Sequence, residues 1–290
     1  MRRLVTFLAL APMLIQVAFA QDAPPRPSIV AAENFYGDLA RQLASPEATI
    51  TSILSNPDQD PHLFEASPSV ARALSAARIV ISNGADYDPW MAKLLRAAKS
   101  TGRVSVVVAD LVGRKPGDNP HLWYDTTAMA AAGRAISAAL AAGDPGHAAD
   151  YERRLAAFTA SLRPLDAKVA ALKVRFAGTP VTATEPVFGY MATAIGLVIR
   201  NERFQLAVMN GTEPRASDIA AFERDLRDHR VRALIYNAQA TDTAARRLLD
   251  IARASGVPVV GVTETEPAGK TYQEWMTGQL DALDAALSRP

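Results

Sequence analysis

The chain has 290 residues, 31 Lys and Arg against 30 Asp and Glu, and a formal net charge of +1. That balance supplies no basic field for nucleic acid or anionic lipid, so neither is expected as a partner. There is no cysteine, which excludes disulfide staples, a thiolate nucleophile and sulfur ligation; any bound metal must be held by nitrogen and oxygen.

Arg2 and Arg3, the apolar run from Leu4 to Val17 and the triplet Ala18-Phe19-Ala20 read as a secretory signal peptide over residues 1–20, with the mature chain starting near Gln21. Residues 21–27 are a proline-rich leader, mobile by composition. Beyond it, short β-branched runs alternate with alanine-rich helical stretches, the pattern of βα units stacked on parallel sheets. Strands are expected at Ser28 to Ala32, Ala48 to Leu54, Arg78 to Ser82 and Arg103 to Val108, with helices at Asn34 to Leu43, Ser67 to Ala76, Asp88 to Ala98 and Thr127 to Ala141. Ser67-Pro68 is an N-cap and first-turn pair.

Apolar positions Leu155, Phe158, Leu162, Leu165, Val169 and Leu172 recur at threes and fours, which predicts one long helix over residues 143–174. Pro164 inside it removes a backbone bond, so a kink or break is expected there. The second half repeats the first. Strands are expected at Val181 to Thr184, Arg203 to Met209, Val231 to Tyr236 and Val259 to Val262, with helices at Val187 to Ile195, Ser217 to Arg227, Asp242 to Ala254 and Tyr272 to Leu287. The fold class is therefore α/β: two βα lobes with parallel sheets, residues 28–142 and 175–290, joined by a long connecting helix.

Two of the four histidines sit in near-identical phrases, Asp60-Pro61-His62-Leu63-Phe64 and Asn119-Pro120-His121-Leu122-Trp123. Each follows a strand and precedes a helix start, so both imidazoles are presented from loops at a sheet edge. Glu185 and Glu264 fall in corresponding places of the second half, beyond strand ends, where open parallel sheets gather ligands. Glu185 before Pro186 also suits a first-turn carboxylate favoured by the helix field. Glu264 and Glu266, in Thr263-Glu264-Thr265-Glu266-Pro267, are alternatives for one ligand position, or together a solvated acidic turn. His147 and His229 lie near helix ends and are read as local hydrogen-bonding residues.

Five phrases in this order resemble, over essentially the whole mature chain, the periplasmic solute-binding proteins of zinc and manganese ABC importers. They are Asp60 to Ser69, Ser82 to Trp90, Asn119 to Asp125, Thr184 to Tyr190 and Gly269 to Met276. The resemblance implies two lobes bridged by a rigid helix, with one metal ion in the cleft. It matches His62 and His121 to the two first-lobe histidines. Glu185 takes a position that is histidine in zinc-type members and glutamate in several manganese-type ones. Glu264 is the nearest match to an aspartate after the last strand, and the histidine-rich acidic loop of many zinc-type members is absent.

Two imidazoles and two carboxylates form a hard nitrogen and oxygen site that suits manganese better than a strict tetrahedral zinc cage, although zinc should bind it at least as tightly in vitro. The implied function is capture of one divalent ion, Mn2+ or Zn2+, with iron a third choice, and delivery to a membrane permease. The protein would work as a monomer in the periplasm. Binding needs neutral imidazoles, so it should weaken at low pH. A haem or metal-chelate receptor of the same architecture is the nearer alternative. A secreted zinc hydrolase is the more distant one, since the chain has neither an H-E-x-x-H helix nor a G-x-S-x-G elbow.

Overall fold

A computed structural model describes residues 26–56, 64, 67–239 and 243–289. The expected signal peptide, most of the leader and His62 lie outside the described residues. The first half contains β1 (Ser28–Glu33), α1 (Asn34–Ala44), β2 (Thr49–Leu54), α2 (Pro68–Ala76), β3 (Ile79–Ser82), α3 (Pro89–Ala97), β4 (Val104–Val107), a single turn α4 (Val108–Leu111) and α5 (Thr126–Gly143). After the long α6 (Ala148–Phe176) come β5 (Pro180–Ala183), α7 (Gly189–Ile195), β6 (Val198–Arg200), α8 (Glu202–Met209), α9 (Ala216–Arg227), β7 (Leu234–Asn237), α10 (Thr243–Ala254), β8 (Val259–Val262) and α11 (Tyr272–Leu287).

Both halves build the same sheet: order β2-β1-β3-β4 in the first and β6-β5-β7-β8 in the second, parallel throughout. In each, the chain steps to one side of the second strand and then returns to its other side. The carboxyl ends of β1 and β3, and of β5 and β7, are therefore the points where a doubly wound sheet opens a crevice. The expected two-lobe α/β architecture is present.

α6 welds the lobes together. Its buried face carries Tyr151, Phe158, Leu162, Leu165 and Leu172, packed on α1 and α5 of one lobe and on α7 and α11 of the other. One continuous apolar core runs from Ile29 and Trp123 through this face to Val181 and Leu283. Each fully buried Leu or Phe there contributes about 1.5–3 kcal/mol. Outside the core, Arg154 grips Glu47 with two bonds of 2.7 and 2.9 Å, and Arg175 pairs with Asp284.

Several local expectations need correction. Residues 203–209, expected as a strand, form helix α8, and the strand of that unit is the earlier Val198–Arg200. Phe204, Leu206 and Val208 imitate a two-residue alternation, but Phe204 and Val208, four apart, pack on one core while Leu206 is 46% exposed. β4 ends at Val107 and the chain turns helically from Val108. α6 runs unbroken through Pro164, an exposed position where the lost backbone bond faces water. Ser67 occupies the N-cap of α2, yet its hydroxyl pairs with Ser69 instead of capping the helix.

Candidate metal centre

His121 stands at the start of a single 3-10 turn, Leu122–Tyr124, and is 1% exposed. Its Nδ1 lies 2.6 Å from Asn119 Oδ1. The orientation of that amide is set from the other lobe, because Asn119 Nδ2 donates to the Pro186 carbonyl at 2.8 Å. The oxygen must then face the imidazole, so Nδ1 carries the proton and Nε2 is left with a lone pair. Among the described residues Nε2 has no hydrogen-bond partner; it points to Glu264 Oε2, 3.5 Å away. Gly189 makes the arrangement possible, since a Cβ there would come within 2.7 Å of Asn119 Nδ2.

Aromatic rings hold the imidazole from behind, Trp123 at 5.2 Å and Tyr87 at 6.1 Å between centroids. Tyr87 is presented by the turn after β3. There Gly84, Ala85 and Asp86 all adopt left-handed backbone, with φ of 77°, 49° and 63°. Two non-glycine residues in that region are costly, and the strain is held by Asp88, whose carboxylate accepts the N–H groups of Asn83 and Gly84 at 2.8 Å each. Burial raises the Asp88 carboxyl above its usual range against these stabilising bonds.

The second lobe brings two carboxylates to the same edge. Glu185 follows β5 and is 8% exposed; Glu264 follows β8 and is 1% exposed. Asn237, the last residue of β7, lies between them and donates through Nδ2 to Glu185 Oε2 at 3.0 Å and to Glu264 Oε1 at 2.5 Å. Its own Oδ1 accepts from the Gln239 N–H at 3.0 Å, and Gln239 Oε1 in turn accepts the Glu264 N–H at 2.6 Å. Glu266 does not join this group. Its backbone exchanges two bonds with Asn34, and burial together with the nearby charge of Asp38 pushes its carboxyl up to about 9.

Of the four expected ligands, the structure gathers His121, Glu185 and Glu264 at one edge, while His62 lies outside the described residues. Among the described residues no three His, Asp or Glu side chains converge closely enough to hold an ion. His147 bonds Asp144 at 2.7 Å, away from this edge. Asn119 and Asn237 were not singled out from the sequence as working residues. Asn237 has the same signal that marked Glu185, a polar residue at a strand's carboxyl end. Asn237→Leu should leave two buried carboxylates without their shared donor and lower metal affinity about 10–100-fold, read by competition with a chromophoric chelator. Unchanged affinity would remove Asn237 from the centre.

The family model described as zinc-uptake complex component A, periplasmic, matches residues 29–286. The iron ABC transporter substrate-binding lipoprotein MtsA of Streptococcus pyogenes serotype M1 is 22% identical over 282 residues, covering 90% of this chain and 89% of that protein. Among solved structures, the periplasmic zinc-binding protein TroA of Treponema pallidum superposes with a TM-score of 0.78 at 20% identity, over 91% of this chain and 100% of the other. The Mn-bound periplasmic metal-binding protein of Candidatus Liberibacter asiaticus gives 0.71 at 18% identity, over 90% and 99%.

Proposed function

This chain belongs to the periplasmic zinc-uptake complex component A family, and we propose that it captures one divalent transition-metal ion, manganese ahead of zinc, for delivery to an ABC importer permease. The family consists of metal-binding solute receptors, not enzymes, and these relatives are named for iron, zinc and manganese. The observation that carries the reading is the His121 imidazole. It is buried, its tautomer is fixed through Asn119, and its Nε2 lone pair is aimed at the buried Glu264. An imidazole so prepared is suited to coordinate a metal ion.

The proposed ligands are His62, His121, Glu185 and Glu264, two from residues 28–142 and two from residues 175–290. An ion drawing both lobes together would stabilise a closed form for the permease to recognise. Manganese is favoured because the donors include two carboxylates able to bind through both oxygens, which raises the coordination number above four. In this reading residues 1–20 direct secretion and are removed, and the mature monomer works in the periplasm.

The test is calorimetric titration of metal-stripped mature protein with Mn2+ and with Zn2+ at neutral pH. One saturable site per chain for both ions is expected. No saturable binding of either would overturn the receptor reading and turn attention to haem and metal chelates.

A further inference from the structure

β1 and β5 are equivalent strands, each second in its sheet and each the one at which the strand order reverses. In the second lobe, the carboxyl end of that strand leads to Glu185. In the first lobe it ends on Glu33, the last residue of β1. Glu33 is 2% exposed, and among the described residues neither of its carboxylate oxygens has a hydrogen-bond partner beyond Glu33's own backbone N–H. A buried carboxylate with no donor from another described residue has lost its hydration and received little in exchange. Burial first, and then the charge of Asp88, push its carboxyl well above the usual range.

Tyr87 links this residue to the metal centre. Its ring lies beside His121, and burial together with the nearby charges of Glu264 and Glu33 raises its pKa. The next residue, Asn34, exchanges two bonds with the backbone of Glu266, two residues beyond Glu264, so the end of β1 lies at the same edge as the His121–Glu264 pair. Among the described residues Glu33 has no bond to another residue that a move toward an ion would break.

We propose that Glu33 is a further ligand of the transported ion, supplying a carboxylate oxygen from the first lobe that favours manganese over zinc. The inference rests on the metal-receptor reading. Zinc is satisfied by four donors, whereas manganese takes five or six, so an added hard oxygen benefits manganese more. It would also account for a buried carboxyl at a strand end with no donor from another described residue, because an arriving dication stabilises its ionised form.

Glu33→Gln keeps the shape and removes the charge. Mature wild type and variant are compared by Mn2+ and Zn2+ titration, by the visible spectrum of the Co2+ form and by thermal melting of the metal-free protein. The variant should lose at least about tenfold more affinity for Mn2+ than for Zn2+. Its Co2+ bands should intensify as the coordination number falls, and its metal-free form should melt no lower than wild type. An unchanged Mn2+/Zn2+ ratio with an unchanged Co2+ spectrum would overturn the proposal, whether or not the melting point moved. Glu33→Met, of similar volume, serves if the amide variant folds poorly. Wild type that binds neither ion would sink the receptor reading itself, a result distinct from a wild type that binds and a variant that binds equally well.

Discussion

Replacing His62 and His121 together by alanine is expected to lower affinity for both manganese and zinc by more than about a hundredfold. Residues that merely orient a ligand cost about 10–100-fold when lost, and removal of two ligands must exceed that. The geometry is most constrained at His121. Asn119 fixes its proton on Nδ1, Trp123 and Tyr87 fix its plane, and Nε2 faces Glu264 across 3.5 Å. Alanine there removes the lone pair and leaves Glu264 facing an apolar gap. Competition titration of the double variant and of His121→Ala alone would check this. A loss below tenfold in the double variant would place the ion elsewhere, and intact binding of a metal chelate by the same variant would favour the chelate receptor.

The second large effect concerns stability. Trp123 is fully buried, with ring centroids 4.6 Å from Phe35, 4.8 Å from Tyr87 and 5.2 Å from His121. Among the described residues its indole N–H has no hydrogen-bond partner. Trp123→Ala therefore loses packing and opens a cavity without sacrificing a hydrogen bond, and the backbone oxygen can still accept from the Tyr272 hydroxyl. A loss of about 3–5 kcal/mol is expected in denaturant unfolding. Because the same ring supports the imidazole, metal affinity should fall as well. A stability loss under about 1 kcal/mol would mean that the surrounding aromatics collapse into the gap.

The lobes are joined by more than α6. Asn34 exchanges two bonds with the Glu266 backbone, the Tyr272 N–H donates to Asp38, Tyr124 donates to the Thr263 carbonyl, and Tyr190 donates to the Asn119 carbonyl. Each contact connects residues at least 71 positions apart, and none breaks a periodic pattern that the sequence displays. Such bonds hold the crevice edges in register, which a receptor for a single small ion requires.

Strand and helix periodicity, a property of neighbours along the chain, was enough to read the first sheet, most of the second, the long α6 and the strand ends that carry Glu185 and Glu264. It failed at residues 203–209, where alternation of apolar side chains fits a strand and a one-sided helix about equally until the core they pack against is known. Local pattern also left Glu264 and Glu266 equivalent, two residues apart in one acidic turn. Tertiary structure separates them: Asn237 and His121 surround the first, and Asn34 and Asp38 the second. The same holds for Asn119 as the residue that sets the His121 tautomer, for Asn237 between two carboxylates, and for Glu33, buried with no donor from another described residue. Sequence determined which residues reach the sheet edge, because that depends on where a strand ends. Only the folded chain decided which of them meet, because the partners of a buried polar atom come from distant segments and leave no periodic trace.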